Sequence, residues 1–300
     1  MLAVIGTGGA AEVAQVSIPR RPERWLRLRV LLAALCRTDV QAATGQLAIG
    51  RRRILGHEMV GEVIESDPGC RYGPGARVAV ALPLVACAAC TACATGARCP
   101  ETFMLGVDVD GAFAEQVVVP ETAVCPVPES LPLRRAACVE PLAATSAVLR
   151  APIQPEERGA VLGAGRIAEM TTRVLRAHGF ATVDTGPDLA GGYDFVVEAA
   201  GTATDLDRAL RLVRPGGVVV LKSRPAKTLT VDVTRAVRND ITLAAVSYGS
   251  FDEAVRLAGE LPIDDLLGPI RPLAEFSDAL AAAQRDPQGP KLFLEPVPAG

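Results

Sequence analysis

Residues 158–180, RGAVLGAGRIAEMTTRVLRAHGF, predict a strand, a glycine-rich turn and a helix in that order. The apolar run before Gly163 reads as a short strand, and the helix after Gly165 carries its apolar side chains on one face. A turn of the form G-x-G-x-x-A allows the backbone to approach a pyrophosphate at the positive end of a helix. The motif is weak alone and gains meaning only inside a parallel sheet.

The segments that follow show the alternation expected of such a sheet. Strand patterns occupy residues 193–202, 216–223 and 241–249, and a helical pattern occupies residues 204–217. Asp184, in ATVDTG, stands where an acid could hold the ribose hydroxyls of NAD. Strands that alternate with helices predict an α/β fold with a parallel sheet.

Composition restricts the class of protein. The chain has 300 residues, 49% of them hydrophobic, which is enough for one large domain or two ordinary ones. Its net charge of -3 argues against a nucleic-acid or anionic-lipid partner. We read no signal peptide at the N-terminus, and the apolar run VLLAALC is far shorter than the ~20 residues of a membrane span. We therefore expect a cytoplasmic protein with reduced thiols.

Residues 85–100, VACAACTACATGARCP, contain four cysteines with the spacing C-x2-C-x2-C-x5-C. Disulfides, a redox pair, tetrahedral metal ligation and four small buried side chains are the physical alternatives. In a reducing compartment this spacing favours one structural zinc ion with four thiolate ligands. The predicted ligands are Cys87, Cys90, Cys93 and Cys99.

A second metal site is suggested by one of the two histidines. His178 lies at the end of a predicted helix, where a structural role is the simpler interpretation. His57 directly precedes Glu58, with Cys36 upstream and Glu140 downstream. One cysteine, one histidine and one or two carboxylates form a nitrogen, sulfur and oxygen ligand set with a vacant position, as in catalytic zinc sites.

These motifs together resemble the zinc-dependent medium-chain alcohol dehydrogenases, and most closely their polyol and threonine dehydrogenase branch. The matching segments are ALCRTDV, ILGHEMVGEV, the four-cysteine lobe, GAFAEQVVVP, EPLAATSA and VLGAG. The resemblance implies an α/β protein with a GroES-like β-rich catalytic domain, residues 1–148 and 268–300, that carries the zinc lobe at 85–100. It also implies a Rossmann-type domain at residues 149–267.

The resemblance assigns roles to the metal-site residues. Cys36, His57 and Glu140 would be ligands of the catalytic zinc, and Glu58 would enter its coordination shell as water or substrate exchanges. Asp39 would be the carboxylate that orients the ligand histidine. Zinc with an open position lets an alcohol lose its proton near neutral pH, and hydride then passes to the nicotinamide.

The resemblance also implies contacts to substrate and cofactor. Thr38 would sit against the substrate oxygen and pass its proton outward, and Gln41 replaces the histidine often found at the end of that relay. Contacts to NAD or NADP would come from Arg37, Gly163, Gly165, Arg166, Ile167, Asp184, Ala200 and Gly201.

The Rossmann-type domain is shorter than the resemblance requires. Between residues 185 and 192 the chain has only a few residues, whereas a crossover to a parallel strand needs roughly ten or more. We expect that one strand and one helix are missing. The gap lies beside the adenosine half of a normal cofactor site, which predicts weakened adenosine binding.

Two functions follow from these observations. The first is a zinc-dependent oxidoreductase that transfers hydride between a secondary alcohol of a polar small molecule and NAD(P). Its substrate would be a polyol, an amino alcohol or an aminocyclitol. The alternative is a zinc-stabilised binding or regulatory protein with a vestigial dehydrogenase site. The strand pattern at 241–249 could form an edge through which two or four copies assemble.

Overall fold

The chain forms two compact units in the computed structural model. One unit comprises Met1–Glu140 and Asp264–Gly300, and the other comprises Pro141–Ile263. The family resemblance implies boundaries at 148 and 268, whereas residues 141–148 belong to the second unit and residues 264–267 to the first. Within the second unit, Gly249 N donates a hydrogen bond to Ala143 O at 2.7 Å. The residues described are 1–50, 52–80, 84–86, 90–95, 99, 102–225 and 228–296, with the backbone alone at 84, 85 and 93.

The first unit is rich in β-structure. Its strands are β1 Leu2–Gly6, β2 Ala11–Gln15, β3 Trp25–Ala34, β4 Arg53–Ile54, β5 Glu58–Glu65, β6 Arg77–Val80, β7 Leu84–Ala86, β8 Thr102–Met104, β9 Gln116–Pro120, β10 Val124–Pro126, β16 Leu267–Pro272 and β17 Lys291–Glu295. In the described part of the chain, the largest sheet runs β10-β6-β5-β3-β17-β16, with β9 also paired to β3. Smaller sheets are β2-β1-β4 and β7-β8.

Strand β3 shows why these segments are strands. Leu26, Leu28 and Val30 are buried, whereas the alternate residues Arg27 and Arg29 are half-buried and exposed, respectively. The arginines form ion pairs with glutamates of β5, which pairs with β3 in antiparallel orientation. Alternation of apolar and charged residues therefore puts one face of the strand into the core and the other toward solvent.

Helices complete both units. The first unit contains α1 Arg37–Ala43, α2 Thr91–Ala94, α3 Leu133–Ala136 and α9 Phe276–Arg285. The second contains α5 Arg166–Ala177, α6 Ala203–Leu212, α7 Val233–Arg238 and α8 Phe251–Glu260, and α4 Val139–Ser146 spans the boundary between the units. Short 3-10 helices are formed by Glu121–Ala123, Ala147–Arg150, Asp264–Leu266 and Leu273–Glu275. No described helix has both the length and the apolar character that crossing a bilayer requires.

The second unit is built on a parallel sheet. Its strands are β11 Gly159–Leu162, β12 Val183–Thr185, β13 Tyr193–Glu198, β14 Val213–Leu221 and β15 Thr242–Ala245, in the order β12-β11-β13-β14-β15. All four pairings are parallel. The predicted α/β fold with a shortened Rossmann-type sheet is confirmed.

The helix predicted at 204–217 extends beyond the helix in the structure. Helix α6 ends at Leu212, and β14 begins at Val213. Pro215 cannot supply the backbone N–H that a helix interior needs, and Gly216 has a φ of 74° that other residues rarely adopt. The last part of that pattern therefore belongs to the strand.

Candidate active site

The amino end of α1 fixes Cys36 and Asp39 relative to each other. Cys36 is the N-cap residue with extended backbone, and its N–H donates to Asp39 Oδ2 at 2.8 Å. Asp39 sits three residues later, where a carboxylate can reach back to the cap N–H. The spacing C-x-x-D therefore holds the cysteine at the start of the helix.

The other oxygen of the same carboxylate contacts His57. Asp39 Oδ1 lies 3.1 Å from His57 Nδ1, and both side chains are buried. If Nδ1–H donates to the carboxylate in the neutral imidazole, Nε2 carries the free lone pair, which is the arrangement of a metal-binding histidine. Burial acts to lower the pKa of His57, but the electrostatic effects of Asp39 and Cys36 raise it well above its ordinary value.

Gly56 sets the backbone that leads into His57. Its φ is 97°, and a Cβ at this position would lie 2.5 Å from an atom of the Phe113 ring. A side chain at residue 56 would therefore be strained and would push the buried Phe113 aside. Glycine at this position lets the chain turn directly against the core and deliver His57 beside Asp39.

Three predicted metal-site residues come together. Among the residues that the structure describes, Cys36, His57 and Glu58 form a group whose ligand atoms all lie within 4.8 Å of one another. Their thiol, imidazole and carboxylate are the donor types that zinc accepts. The group therefore fits one zinc ion.

Glu140 lies next to this group and outside it. It is in the first turn of α4 and is 6% exposed. Burial raises the pKa of Glu58, Lys291 opposes that rise, and the nearby charge of Glu140 adds to it. The Glu58 carboxylate thus belongs to the group of ligand atoms, and the buried Glu140 carboxylate lies near enough to Glu58 to affect its pKa.

Thr38 and Arg37, in the first turn of α1, have different surroundings. Thr38 Oγ1 lies 3.9 Å from Cys36 Sγ, so its hydroxyl is beside the ligand group. Arg37 is exposed. The structure therefore brings Thr38 to the ligand group and leaves the Arg37 side chain in solvent.

The four-cysteine lobe is described in part. Cys90 Sγ and Cys99 Sγ are 3.8 Å apart. Zn–S bonds of about 2.3 Å in a tetrahedron place neighbouring sulfur atoms about 3.8 Å apart. Cys87 lies outside the described residues, and of Cys93 only the backbone, in α2, is described. The spacing of the described pair fits a shared zinc ion.

The glycine-rich turn has the form needed for a phosphate site. Gly163 has a φ of 136°, and a Cβ there would lie 3.2 Å from the Ala199 backbone. Gly165 is the N-cap of α5, with no side chain capping the helix, and a Cβ on Gly165 would meet no atom within 4 Å. Arg166 and Ile167 form the first turn of the helix. Open space therefore faces the positive end of a helix, which is the arrangement of phosphate-binding turns.

Sequence reasoning missed the partner of Ala200 and Gly201. Glu198 Oε1 accepts hydrogen bonds from the backbone N–H groups of Ala200 and Gly201 at 2.8 and 2.6 Å. Its Oε2 accepts from Ser223 Oγ, and Glu198 is 2% exposed. Glu198 therefore shapes the loop after β13. The spacing E-A-A-G was the available signal for this local cap.

Asp184 has a different position from the one expected of a ribose ligand. It pairs with Ala160, short of the carboxyl end of β11. Its Oδ2 accepts from Arg158 Nη2 and from Tyr193 OH, both at 2.9 Å. Arg158 and Tyr193 stand at the amino ends of β11 and β13, whereas cofactors bind outside the carboxyl ends. These contacts argue against the predicted cofactor role of Asp184.

Lys291 is a second residue that sequence reasoning missed. Its ammonium group forms an ion pair with Glu58 Oε2, and the two side chains are 5% and 1% exposed. A lysine at the start of the apolar strand KLFLE was the only local hint. Its partner could not be known before the strands were paired.

Known proteins resemble this chain over most of its length. Residues 22–129 match the family model of the alcohol dehydrogenase GroES-like domain. The L-threonine 3-dehydrogenase of Pyrococcus horikoshii is 30% identical over an alignment of 291 positions, and the match covers 83% of this chain and 82% of the relative. The L-galactonate-5-dehydrogenase of Escherichia coli K12 is 28% identical over an alignment of 241 positions, and the match covers 69% of this chain and 70% of the relative.

Solved structures agree with these relatives. A dehydrogenase of Sinorhizobium meliloti 1021, described as zinc-binding and solved with bound NADP, superposes with a TM-score of 0.86 at 25% identity. The match covers 98% of this chain and 99% of that one. All three named proteins are dehydrogenases, and none supports the alternative of a non-catalytic zinc protein. The chain belongs to the zinc-dependent medium-chain alcohol dehydrogenase family, in the branch of the threonine and polyol dehydrogenases.

Proposed function

We propose that this chain oxidises a secondary alcohol of a polar small molecule to a ketone, or catalyses the reverse reaction, with zinc and NAD(P). The observation that carries the proposal is the group formed by Cys36, His57 and Glu58, with Asp39 bonded to the histidine. A half-buried thiol beside a buried imidazole and a buried carboxylate, with Asp39 against the imidazole, has no simpler structural explanation.

The ligand set is drawn from four residues. Cys36 and His57 would hold the ion, with Glu140 as third ligand and Glu58 as the carboxylate that exchanges with water or substrate. Zinc, when bound, would supply an open position that lowers the pKa of an alcohol and stabilises negative charge on its oxygen. Asp39 contacts Nδ1 and so fixes the orientation of the imidazole, which leaves Nε2 as the nitrogen that would bind the ion, and the α1 cap keeps Cys36 in place.

Thr38 is the proposed proton acceptor. Its hydroxyl lies 3.9 Å from Cys36 Sγ, so a substrate oxygen beside the ligand group would be within its reach. A hydroxyl can accept the substrate proton while it passes its own outward. Gln41 cannot titrate at neutral pH, so water would complete the relay.

The four cysteines of the lobe are proposed to hold a second, structural zinc. The 3.8 Å separation of Cys90 and Cys99 supports this role. The nicotinamide cofactor would bind at the turn of Gly163 and Gly165, where the helix N-terminus meets open space. Ala200 and Gly201, whose backbone N–H groups donate to Glu198, would lie in a loop near the cofactor.

The proposed substrates are polar. Two relatives act, by name, on threonine and on galactonate, both of which carry a secondary alcohol beside other polar groups. We propose the same class here, with amino alcohols, polyols and sugar acids as the first compounds to test. We also propose a cytoplasmic homodimer or homotetramer, with β15 as the edge strand that pairs.

The test combines metal content with turnover. Purified protein should contain two zinc ions per chain by elemental analysis and should reduce NAD+ or NADP+ with one of these alcohols. Cys36→Ser should lose one zinc ion and all turnover, whereas the control Cys70→Ser should keep both. One zinc ion in the parent protein and also in Cys36→Ser, with no turnover of any alcohol by the parent protein, would contradict the proposal. Light scattering that finds only a monomer would contradict the assembly.

A further inference from the structure

The two halves of the nucleotide site are built differently in this chain. Dinucleotide-binding sheets usually have the strand order 3-2-1-4-5-6. Here the order is β12-β11-β13-β14-β15, which is that order without the strand numbered 3. Strand β12 therefore lies at an edge that another strand usually covers.

A side chain occupies this edge. Thr182 O accepts from Gly159 N at 2.9 Å, so Thr182 faces β11. Successive backbone groups point to opposite sides of a strand, and the carbonyl of Val183 therefore points outward. Arg176 Nη2 donates to this carbonyl at 3.1 Å. An arginine of α5 thus satisfies a group that the absent strand would have bonded.

The connection after β12 also takes the place of the absent unit. Residues 186–192 lead from the carboxyl end of β12 across β11 to the amino end of β13, without a helix or strand. Leu189 packs against the buried cluster that contains Tyr193 and Leu206, and Arg208 donates to Pro187 O. The short connection is anchored to the sheet and to α6.

These contacts remove the usual support for an adenosine group. Asp184 is held by Arg158 and Tyr193 at the amino ends of the strands, and the Arg158 guanidinium also stacks on the Tyr193 ring at 4.3 Å. Asp188 is exposed in the connection, so it is the carboxylate to test there. The phosphate end of the site differs, because Gly163, Gly165 and the twelve-residue helix α5 keep the form that a phosphate needs.

We propose that this chain binds its nicotinamide cofactor through the nicotinamide ribosyl phosphate half, so that reduced nicotinamide mononucleotide binds about as well as NADH. The inference rests on the proposed use of a nicotinamide cofactor. The adenosine half adds little affinity, because the strand and helix that would enclose it are replaced by Arg176 and residues 186–192.

The test is a binding titration of the full chain that is monitored by the fluorescence of the reduced nicotinamide. The dissociation constants of NADH and of reduced nicotinamide mononucleotide should agree within about tenfold. AMP should not displace either ligand at millimolar concentration. NADH binding about 100-fold tighter than the mononucleotide, or displacement by AMP, would overturn this inference and leave the proposed function intact. Failure of every nicotinamide nucleotide to bind would overturn both.

Two kinds of variant separate the halves. Gly165→Val adds a side chain to the open space before α5 and should weaken NADH and the mononucleotide alike, by about tenfold or more. Asp184→Asn and Asp188→Asn should leave both constants within about twofold of the parent protein. A loss of NADH affinity in either Asn variant, with the mononucleotide unaffected, would overturn the inference. A single cooperative thermal unfolding transition shows that each variant is folded.

Discussion

Lys291 forms a buried ion pair with Glu58, which also belongs to the group with Cys36 and His57. The pair arises from strand order, because β17 and β5 both pair with β3, on opposite sides. Ala34 of β3 is opposite Glu58 on one side and Phe293 on the other. Lys291 is two residues from Phe293 and so reaches Glu58 across β3.

The Lys291→Met variant should be strongly destabilised in the metal-free protein. Removing one partner of a buried pair leaves the other charge uncompensated, at a cost of about 3–5 kcal/mol. Denaturant unfolding of the chelated protein measures this loss. Lys291→Arg keeps the charge and should lose much less, and zinc should restore part of the stability of the Met variant. Equal stability of the Met variant and the parent protein would show that the pair contributes nothing.

The Asp39→Asn variant should bind the catalytic zinc about 10–100-fold more weakly. The amide oxygen can still accept from Cys36 N–H, so the variant removes the charge that faces His57 while it keeps the helix cap. Competition with a chelator measures the affinity, and the visible spectrum of the cobalt-substituted protein reports the ligand geometry. Unchanged zinc affinity would mean that the contact has no influence on the metal.

The Cys90→Ser and Cys99→Ser variants should each lose the structural zinc and keep the catalytic one. The two sulfur atoms are close enough to share an ion, and a hydroxyl is a poor replacement for a thiolate ligand. Elemental analysis should fall from two zinc ions per chain to one. Cys70→Ser, outside the lobe, is the matched control and should retain both. Retention of two zinc ions in both lobe variants would contradict the assignment.

The ion pair of Arg21 and Asp67 predicts part of the acid sensitivity of the first unit. Hydrogen bonds from Arg21 and from the Arg24 backbone lower the pKa of Asp67 from 3.8 to about 2. A lowered pKa in the folded state contributes stability above the unfolded value, and that contribution is lost as the pH falls from about 4 to about 2. Urea unfolding between these values should show a shallower decline for Asp67→Asn than for the parent protein. Parallel declines would exclude the pair as a cause.

The sequence predicted the features that depend on local spacing. The alternation of strands and helices indicated the parallel sheet, because the spacing of apolar residues along the chain distinguishes a helix from a strand. The missing strand followed from the few residues between 185 and 192. Comparison of Cys36, His57 and Glu58 with a known motif indicated the residues that the structure gathers within 4.8 Å.

Tertiary structure alone decided which charged groups meet. Lys291 contacts Glu58 because two strands from distant parts of the chain flank β3, and no local pattern contains that pairing. Asp184 is held by Arg158 and Tyr193 because the register of β12 places it short of the carboxyl edge. Sequence spacing determines the backbone and short-range caps, whereas strand order and register determine which side chains compensate a buried charge.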